Sequence, residues 1–403
     1  MTPAGDYPLA LSLDWLARLP DYGELRGQGT LRGQLRGELV LTQELQGLAQ
    51  ARLEARVTEP LTTPAWQLAL ELIRFDPAPF AADLAGHEFS GRLDFSGDLA
   101  SARGGLSLNG SVPEAGRVEL ISTLEASVEQ LQLSDTRILL PDTGARVSAA
   151  GRITALQTAP ELDLQLDWEG LRYPLPRELP AQFSSDSGQV QIQGPLQDYR
   201  LRLSAALAGE QIPESDLELE GQGNLDGFSA LTLDIASLGG ELRLDGNAGW
   251  RPQPAWKLRA RASNIDPGRH WPDWTGSVGF ELNSEGWLED GKPRLQADIA
   301  ALSGQLRGQP LSGTGQLRLS GTDLEIPQLA LGWGNARLEA SGRAGETLAL
   351  NWRLQAPDLA SLLPDTGGSI SASGTLTGPR RPPRCRPISV PGSWHSRPTG
   401  CSA

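Results

Sequence analysis

Few side chains in this sequence are equipped for covalent or metal chemistry. His87, in "AGHEFSG", and His270, in "GRHWPDW", are two of only three histidines and stand far apart in the chain. Cys385 and Cys401 are the only cysteines; they lack the C-x-x-C spacing or a histidine set that a zinc site draws on. No G-x-S-x-G elbow and no H-E-x-x-H pair occurs. Asp142 in "LLPDTGARV" and Asp365 in "LLPDTGGSI" recur in matching loops, but P-D-T-G is turn chemistry. Nothing in the spacing requires the two carboxylates to meet as an acid pair. Asp163, Asp167 and Glu169 alternate with leucine, which describes a solvated strand face and not a calcium loop. No catalytic residue, metal ligand or cofactor site is assigned, and the chain is not expected to be an enzyme.

The glycine-rich stretch "ELRGQGTLRGQLRG", Glu24 to Gly37, invites two other readings. A phosphate loop needs one copy between a buried strand and a helix. Here the spacing is G-x-G-x-x-x-G, and no helical pattern follows. An Arg-Gly nucleic-acid segment needs net positive charge, because binding is dominated by phosphate neutralisation. The chain instead carries 35 Lys+Arg against 49 Asp+Glu, a formal charge of -14, so no nucleic-acid partner is expected.

The stretch recurs, and recurrence identifies it. "GELRGQGTLRG" begins at Gly23 and "GSISASGTLTG" at Gly368. "GRLDFSGDL" from Gly91, "GQVQIQGPL" from Gly188 and "GSVGFELNSEGWL" from Gly276 share the frame G-x-[LVI]-x-[FI]-x-G-x-L, the last with a longer turn. A second phrase, "PAWQLALELIRFDP" from Pro64, returns as "PAWKLRARASNIDP" from Pro254. Together they define a degenerate repeat of about 90–95 residues holding several strands each. The glycines serve turns and bulges.

The elements that carry these phrases alternate with a period of two. "ELDLQLDWEG" places Leu162, Leu164, Leu166 and Trp168 on one side and acidic or amide residues on the other. Successive strand side chains point to opposite faces, so each strand has one wet and one apolar face. Gly, Asn, Asp and Pro break the runs every 8–12 residues or so. Only "LDWLARL", near the start, has spacing that suits a turn or two of helix. At about one strand per 12 residues, the chain would hold on the order of 30 strands, stacked over roughly 150 Å. The expected fold is all-β: a continuous elongated sheet curled about a long axis. Its apolar faces line one trough, which either packs shut or stays open to something apolar. The side chains expected to line it are Leu93, Phe95, Leu164, Leu166, Trp168, Val190, Ile192, Leu233, Ile235, Val278, Phe280, Leu317, Leu319, Leu350 and Trp352. Trp168 and Trp352 could instead plug the core or sit on the rim.

Two segments fall outside the pattern. The start, "MTPAGDYPLALSLDWLARLP", has no basic and apolar signal-peptide design, and no stretch approaches the ~20 apolar residues of a membrane helix. Residues 379–403 change abruptly to a Pro/Arg-rich composition, read here as a disordered tail after the repetitive region 1–378.

The succession "PAWKLRARASNIDPGRHWPDWTGSVGFELNSEGWLEDGKPRLQADI" and "LSGTGQLRLSGTDLEIPQLALGWGNARLEASGR" resembles the TamB family, the AsmA-like translocation and assembly module subunits of the Gram-negative envelope. The resemblance covers about residues 1–378 and rests on structural phrases, none of them catalytic. It implies a taco-like β-groove with an apolar interior, in a periplasmic protein anchored in the inner membrane. It also implies transfer of phospholipid along the groove between inner and outer membranes, and help in outer-membrane protein assembly with the barrel partner TamA. The family's membrane anchor and its TamA-contacting C-terminal domain are not recognised here, so the chain reads as a middle fragment. The implied partners are phospholipid acyl chains, the envelope membranes and TamA. Two other readings compete: a non-enzymatic scaffold or chaperone for outer-membrane barrel strands acting by strand addition, and a secreted β-repeat adhesin. A membrane barrel would need aromatic girdles, and 4 Tyr and 7 Phe are too few.

Overall fold

The structure is a computed structural model that describes residues 7–379 except 21, 81–83, 114, 176–178, 290 and 360–366. The expected tail, 379–403, lies outside the described residues apart from its first position. Among the described residues the chain forms one 24-stranded sheet that is curled but unclosed. Each strand pairs antiparallel with the next in sequence, from the first pair to the last.

The first group of strands is β1 (Pro8–Leu19), β2 (Gly23–Gln34), β3 (Glu38–Gly47), β4 (Ala49–Thr58) and β5 (Ala65–Phe75). After a long connection follow β6 (Phe89–Gly97), β7 (Ser101–Val112), β8 (Gly116–Ser127), β9 (Gln130–Leu140), β10 (Ala145–Thr154) and β11 (Glu161–Tyr173). The next six are β12 (Phe183–Pro195), β13 (Tyr199–Gly209), β14 (Ser215–Asn224), β15 (Gly227–Ser237), β16 (Gly240–Gly249) and β17 (Ala255–Ile265). Then come β18 (Gly276–Glu289), β19 (Lys292–Leu306), β20 (Gln309–Ser320), β21 (Asp323–Trp333), β22 (Ala336–Ala344), β23 (Thr347–Ala356) and finally β24 (Ile370–Pro379).

Six strands make the repeat. Connections 76–88, 174–182, 266–275 and 357–369 are long, while every other connection has six residues or fewer. The long ones begin 91–98 residues apart, follow β5, β11, β17 and β23, and so all lie on the same rim of the meander. The glycine frame marks the strand that follows each long connection, and the P-A-W phrase opens β5 and β17. Strands of 9–15 residues are longer than the spacing of turn residues implies, because single Gly and Pro positions are absorbed within strands. The strand count is therefore 24 and not about 30, and the stack is about 110 Å long. "LDWLARL" is not helical: it lies in β1, where the pairing of Leu13 with Gly29 and Trp15 with Gly27 holds its alternation to the sheet.

Bulges keep the alternation in phase. On β9, Asp135 takes a left-handed conformation (φ 49), which aspartate tolerates better than most residues. Leu131 and Leu133 before it, and Thr136, Ile138 and Leu140 after it, all pair with inner-face residues of β8 or β10. Without the bulge, one half of the strand would turn its leucines outward.

Among the described residues no second layer covers the apolar face. The helical elements among the described residues are short 3-10 turns, Pro267–Arg269 and Pro272–Trp274 among them. The buried side chains are small or polar, and no large one is fully buried.

Because each strand contacts chiefly its sequence neighbours, one six-strand unit should be removable. Deleting residues 168–255 joins β11 to β17 with Trp256 in the place of Trp168. This variant is expected to keep its per-residue β circular dichroism and its protease-resistant core. Deleting 168–256 instead puts Lys257 on the apolar face and should lose that resistance. Equal behaviour of the two would contradict the six-strand unit.

Candidate functional site

The candidate site is the inner face of the sheet. All fifteen side chains expected to line a trough lie on this one face. Leu93 stands between Leu70 and Leu106, with Phe95 beside it on β6. Leu164 faces Ile192 and Leu166 faces Val190. Leu233 and Ile235 face Leu219 and Leu217 on one side, Leu244 and Leu242 on the other. Val278 and Phe280 face Gly304 and Leu302, Leu317 and Leu319 face Ala297 and Leu295, and Leu350 faces Leu376. Fourteen of the fifteen are half-buried, and Leu166 is 37 % exposed. The face is thus an apolar surface that solvent can still reach.

Trp168 and Trp352 neither plug the trough nor stand on its rim. Each inner-face tryptophan of a β5-type strand lies directly opposite a glycine of the next strand: Trp66 and Gly97, Trp168 and Gly188, Trp256 and Gly286, Trp352 and Gly374. Trp15 and Gly27 repeat the arrangement at the first hairpin. A Cβ on Gly97 would come 2.9 Å from Trp66 Cζ2, and one on Gly188 would overlap the Trp168 ring outright. The glycine makes room for the indole to lie down on the sheet. The indole N–H groups find partners locally: Trp66 donates to the Asp98 carbonyl (3.0 Å), Trp168 to Ser185 Oγ (2.8 Å) and Trp256 to Ser284 Oγ (3.1 Å). Trp15 donates to Gln43 Oε1 (3.1 Å) on the same face. These polar partners were not singled out from sequence. The signal existed, in the tryptophan of P-A-W and the second glycine of the frame.

The opposite face is charged. Its ion pairs run between and along strands, as in Arg52–Glu71, Arg152–Asp163, Arg243–Asp234 and Arg259–Glu281, all solvent-exposed. Asp163 and Glu169 sit in such pairs, and Asp167 accepts from Gln165 and Gln189. His87 bonds Ser111 through its ring (3.0 Å), and His270 packs edge-on against Trp271. Asp142 is engaged by Arg117, accepting from its backbone N–H (2.8 Å) and its guanidinium (2.9 Å). That backbone bond, then the guanidinium, holds the Asp142 carboxyl below its usual range. Asp365, Cys385 and Cys401 lie outside the described residues, and no group of His, Cys, Asp and Glu able to hold a metal occurs among the described ones. No helix of the described chain is long and apolar enough to cross a membrane.

These features define a class: an all-β groove protein built as one curled, unclosed sheet, with an apolar face that no second layer buries among the described residues. The family model for the TamB N-terminal domain matches residues 142–386, more than half of the chain. The chain belongs to the TamB family. It is 26% identical over 308 residues to the translocation and assembly module subunit TamB of Haemophilus influenzae, a match that covers 70% of this chain and 24% of that protein. The chain therefore spans about a quarter of the length of that relative. No solved structure matches it.

Two outcomes follow from this geometry. Gly188→Ala must lift the Trp168 indole or shift β12, and is expected to cost about 1–3 kcal/mol, measured by urea unfolding. A cost near zero would mean the ring has free space to move. The depressed Asp142 carboxyl contributes stability above the ordinary Asp value of about 3.9, and that contribution is lost as pH falls through its own lower value. Carboxyl ¹³C NMR should place its midpoint below that of unfolded aspartate, and Asp142→Asn should remove that part of the acid dependence. A midpoint at or above the ordinary value would contradict the Arg117 contact.

Proposed function

We propose that the chain is a section of a conduit for phospholipid, and that acyl chains occupy the inner face. The observation that carries this reading is the continuous apolar surface left without a covering layer. An ordinary sheet buries such a face against helices or a second sheet. Here the covering material has to come from outside the described chain. An acyl chain suits it, because the face is Leu-rich and continuous along the stack, and each methylene buried contributes about 0.8 kcal/mol. Similar Leu-rich strands repeated along the axis offer similar shallow wells, so the acyl chains can slide along the face. The head group stays at a wet rim.

Family membership supports placing the chain in the periplasm of a Gram-negative envelope, between inner and outer membranes. By the same analogy the full-length protein works with the barrel partner TamA in outer-membrane protein assembly. A second reading has its own observation. Among the described residues β1 pairs only with β2 and β24 only with β23, and an unfolded barrel strand could extend such a sheet wherever one of its edges is open. This scaffold role does not compete for the inner face.

Lipid extraction and mass spectrometry on the chain purified without detergent from a bacterial periplasm test the conduit. The parent is expected to carry stoichiometric phospholipid. A Leu166→Glu, Ile235→Glu variant, shown to be folded by circular dichroism, should carry none. A folded parent free of lipid would overturn the conduit and leave the scaffold.

A further inference from the structure

The rims of the groove are not alike, and the fully described long connection, 266–275, shows how they differ. It is a strap that ties neighbouring hairpins together. Asp266 Oδ1 accepts from the N–H of Gly268 (3.0 Å) and of Gly276 (2.8 Å), closing the segment on itself. The Asp266 N–H donates to the Leu238 carbonyl at the β15–β16 turn (3.0 Å), and Arg269 packs on Gly239 of the same turn. On the other side, Trp274 leans towards β21, where its ring lies 6.1 Å from that of Trp333. Trp333 belongs to the inner face, opposite Leu311, and donates its indole N–H to the Leu306 carbonyl (2.9 Å).

The β19–β20 turn completes the cluster. Arg307 and Gly308 both have positive φ, the type I′ hairpin geometry that favours Asn-Gly, so an arginine at the first position is unusual. The Arg307 N–H donates to the Thr275 carbonyl (2.7 Å), which fixes it against the strap. Its guanidinium stands 5.7 Å from the centroid of Trp274, and among the described residues it forms no ion pair. Trp271 and Trp274 are 49 % and 43 % exposed.

We propose that Arg307, Trp274 and Trp333 form a station for the phosphate end of a single phospholipid. Arg307 pairs with the phosphodiester, Trp274 and Trp333 flank the glycerol ester region, and the acyl chains run down onto Leu306, Leu311 and the inner face. A guanidinium is suited to this because its fork matches phosphate oxygens, and stacking on an aromatic ring pre-orders it. Tryptophan suits a position that is apolar below and wet above. The assignment rests on the conduit reading for the acyl chains, while the phosphate contact is its own claim.

The test is displacement of a fluorescent fatty acid from the full chain by phosphatidylglycerol, by diacylglycerol with the same acyl chains, and by inorganic phosphate. The parent is expected to prefer phosphatidylglycerol to diacylglycerol by about tenfold or more, the range of one charge-assisted contact. Arg307→Gln should abolish that preference and leave diacylglycerol displacement unchanged. Arg307→Lys should keep part of it, and Trp274→Leu should weaken both lipids. Equal displacement by the two lipids in the parent, or a preference that survives Arg307→Gln, overturns the station but not the conduit. Protection of Arg307 by inorganic phosphate at the affinity of the phospholipid makes it a free-anion site and overturns the lipid assignment. A parent that takes up no fatty acid and neither lipid overturns the conduit, and the station with it.

Discussion

One constraint governs this molecule: two-residue alternation must be kept in phase across 24 strands, because one face is apolar throughout and no second layer corrects an error. In a sandwich, a slipped strand loses its packing against the opposite sheet. Here a slip would place leucines among the charged residues of the outer face with nothing to oppose it except the neighbouring strands. The bulge at Asp135 and the register shifts between β17 and β18 and between β21 and β22 serve this phase. In each case the strand resumes with its apolar residues on the inner side.

The energetics are correspondingly local. Exposed ion pairs such as Arg52–Glu71 and Arg259–Glu281 contribute about 0–1 kcal/mol each. Cross-strand aliphatic pairs such as Leu164–Ile192 and Leu166–Val190 contribute on a similar scale. Stability therefore accumulates strand by strand, as in solenoids, and depends little on distant parts of the chain. That arrangement lets units be added or removed without disturbing the rest, and it fits the match to about a quarter of a much longer relative.

The legible parts of this structure were those written in short-range alternation. Leu162 to Trp168 and Leu348 to Leu354 announce their strands and faces directly, and the glycine frame announces its period. The strand count falls below the expected number because Gly and Pro do not always break a strand: Gly104, Gly105 and Gly110 lie inside β7 and Pro327 inside β21. The seven residues of "LDWLARL" carried both periods, and only pairing with β2 decides between them. The inner-face polar residues were hidden for another reason. Ser185 and Ser284 gain meaning from an indole 17 and 28 residues away, a relation that no local window contains. The strap across 266–275 was likewise invisible, since its contacts reach turns on either side of its own hairpin.

The tryptophan-glycine pairs bear on how level the inner face is. An indole standing upright on the floor would divide the trough every six strands and create deep pockets between dividers. Laid over glycine, the ring instead fills the hollow that the missing side chain would leave. Its N–H is bonded on the sheet side, to Ser185 or Ser284, and does not interrupt the apolar surface. The same residue that threatens to block the path thus levels it, and the cost is borne by a glycine in an otherwise regular strand. The polar contacts of Arg307 and the strap, by contrast, lie at the rim: the Arg307 N–H donates to the Thr275 carbonyl and its guanidinium stands over Trp274.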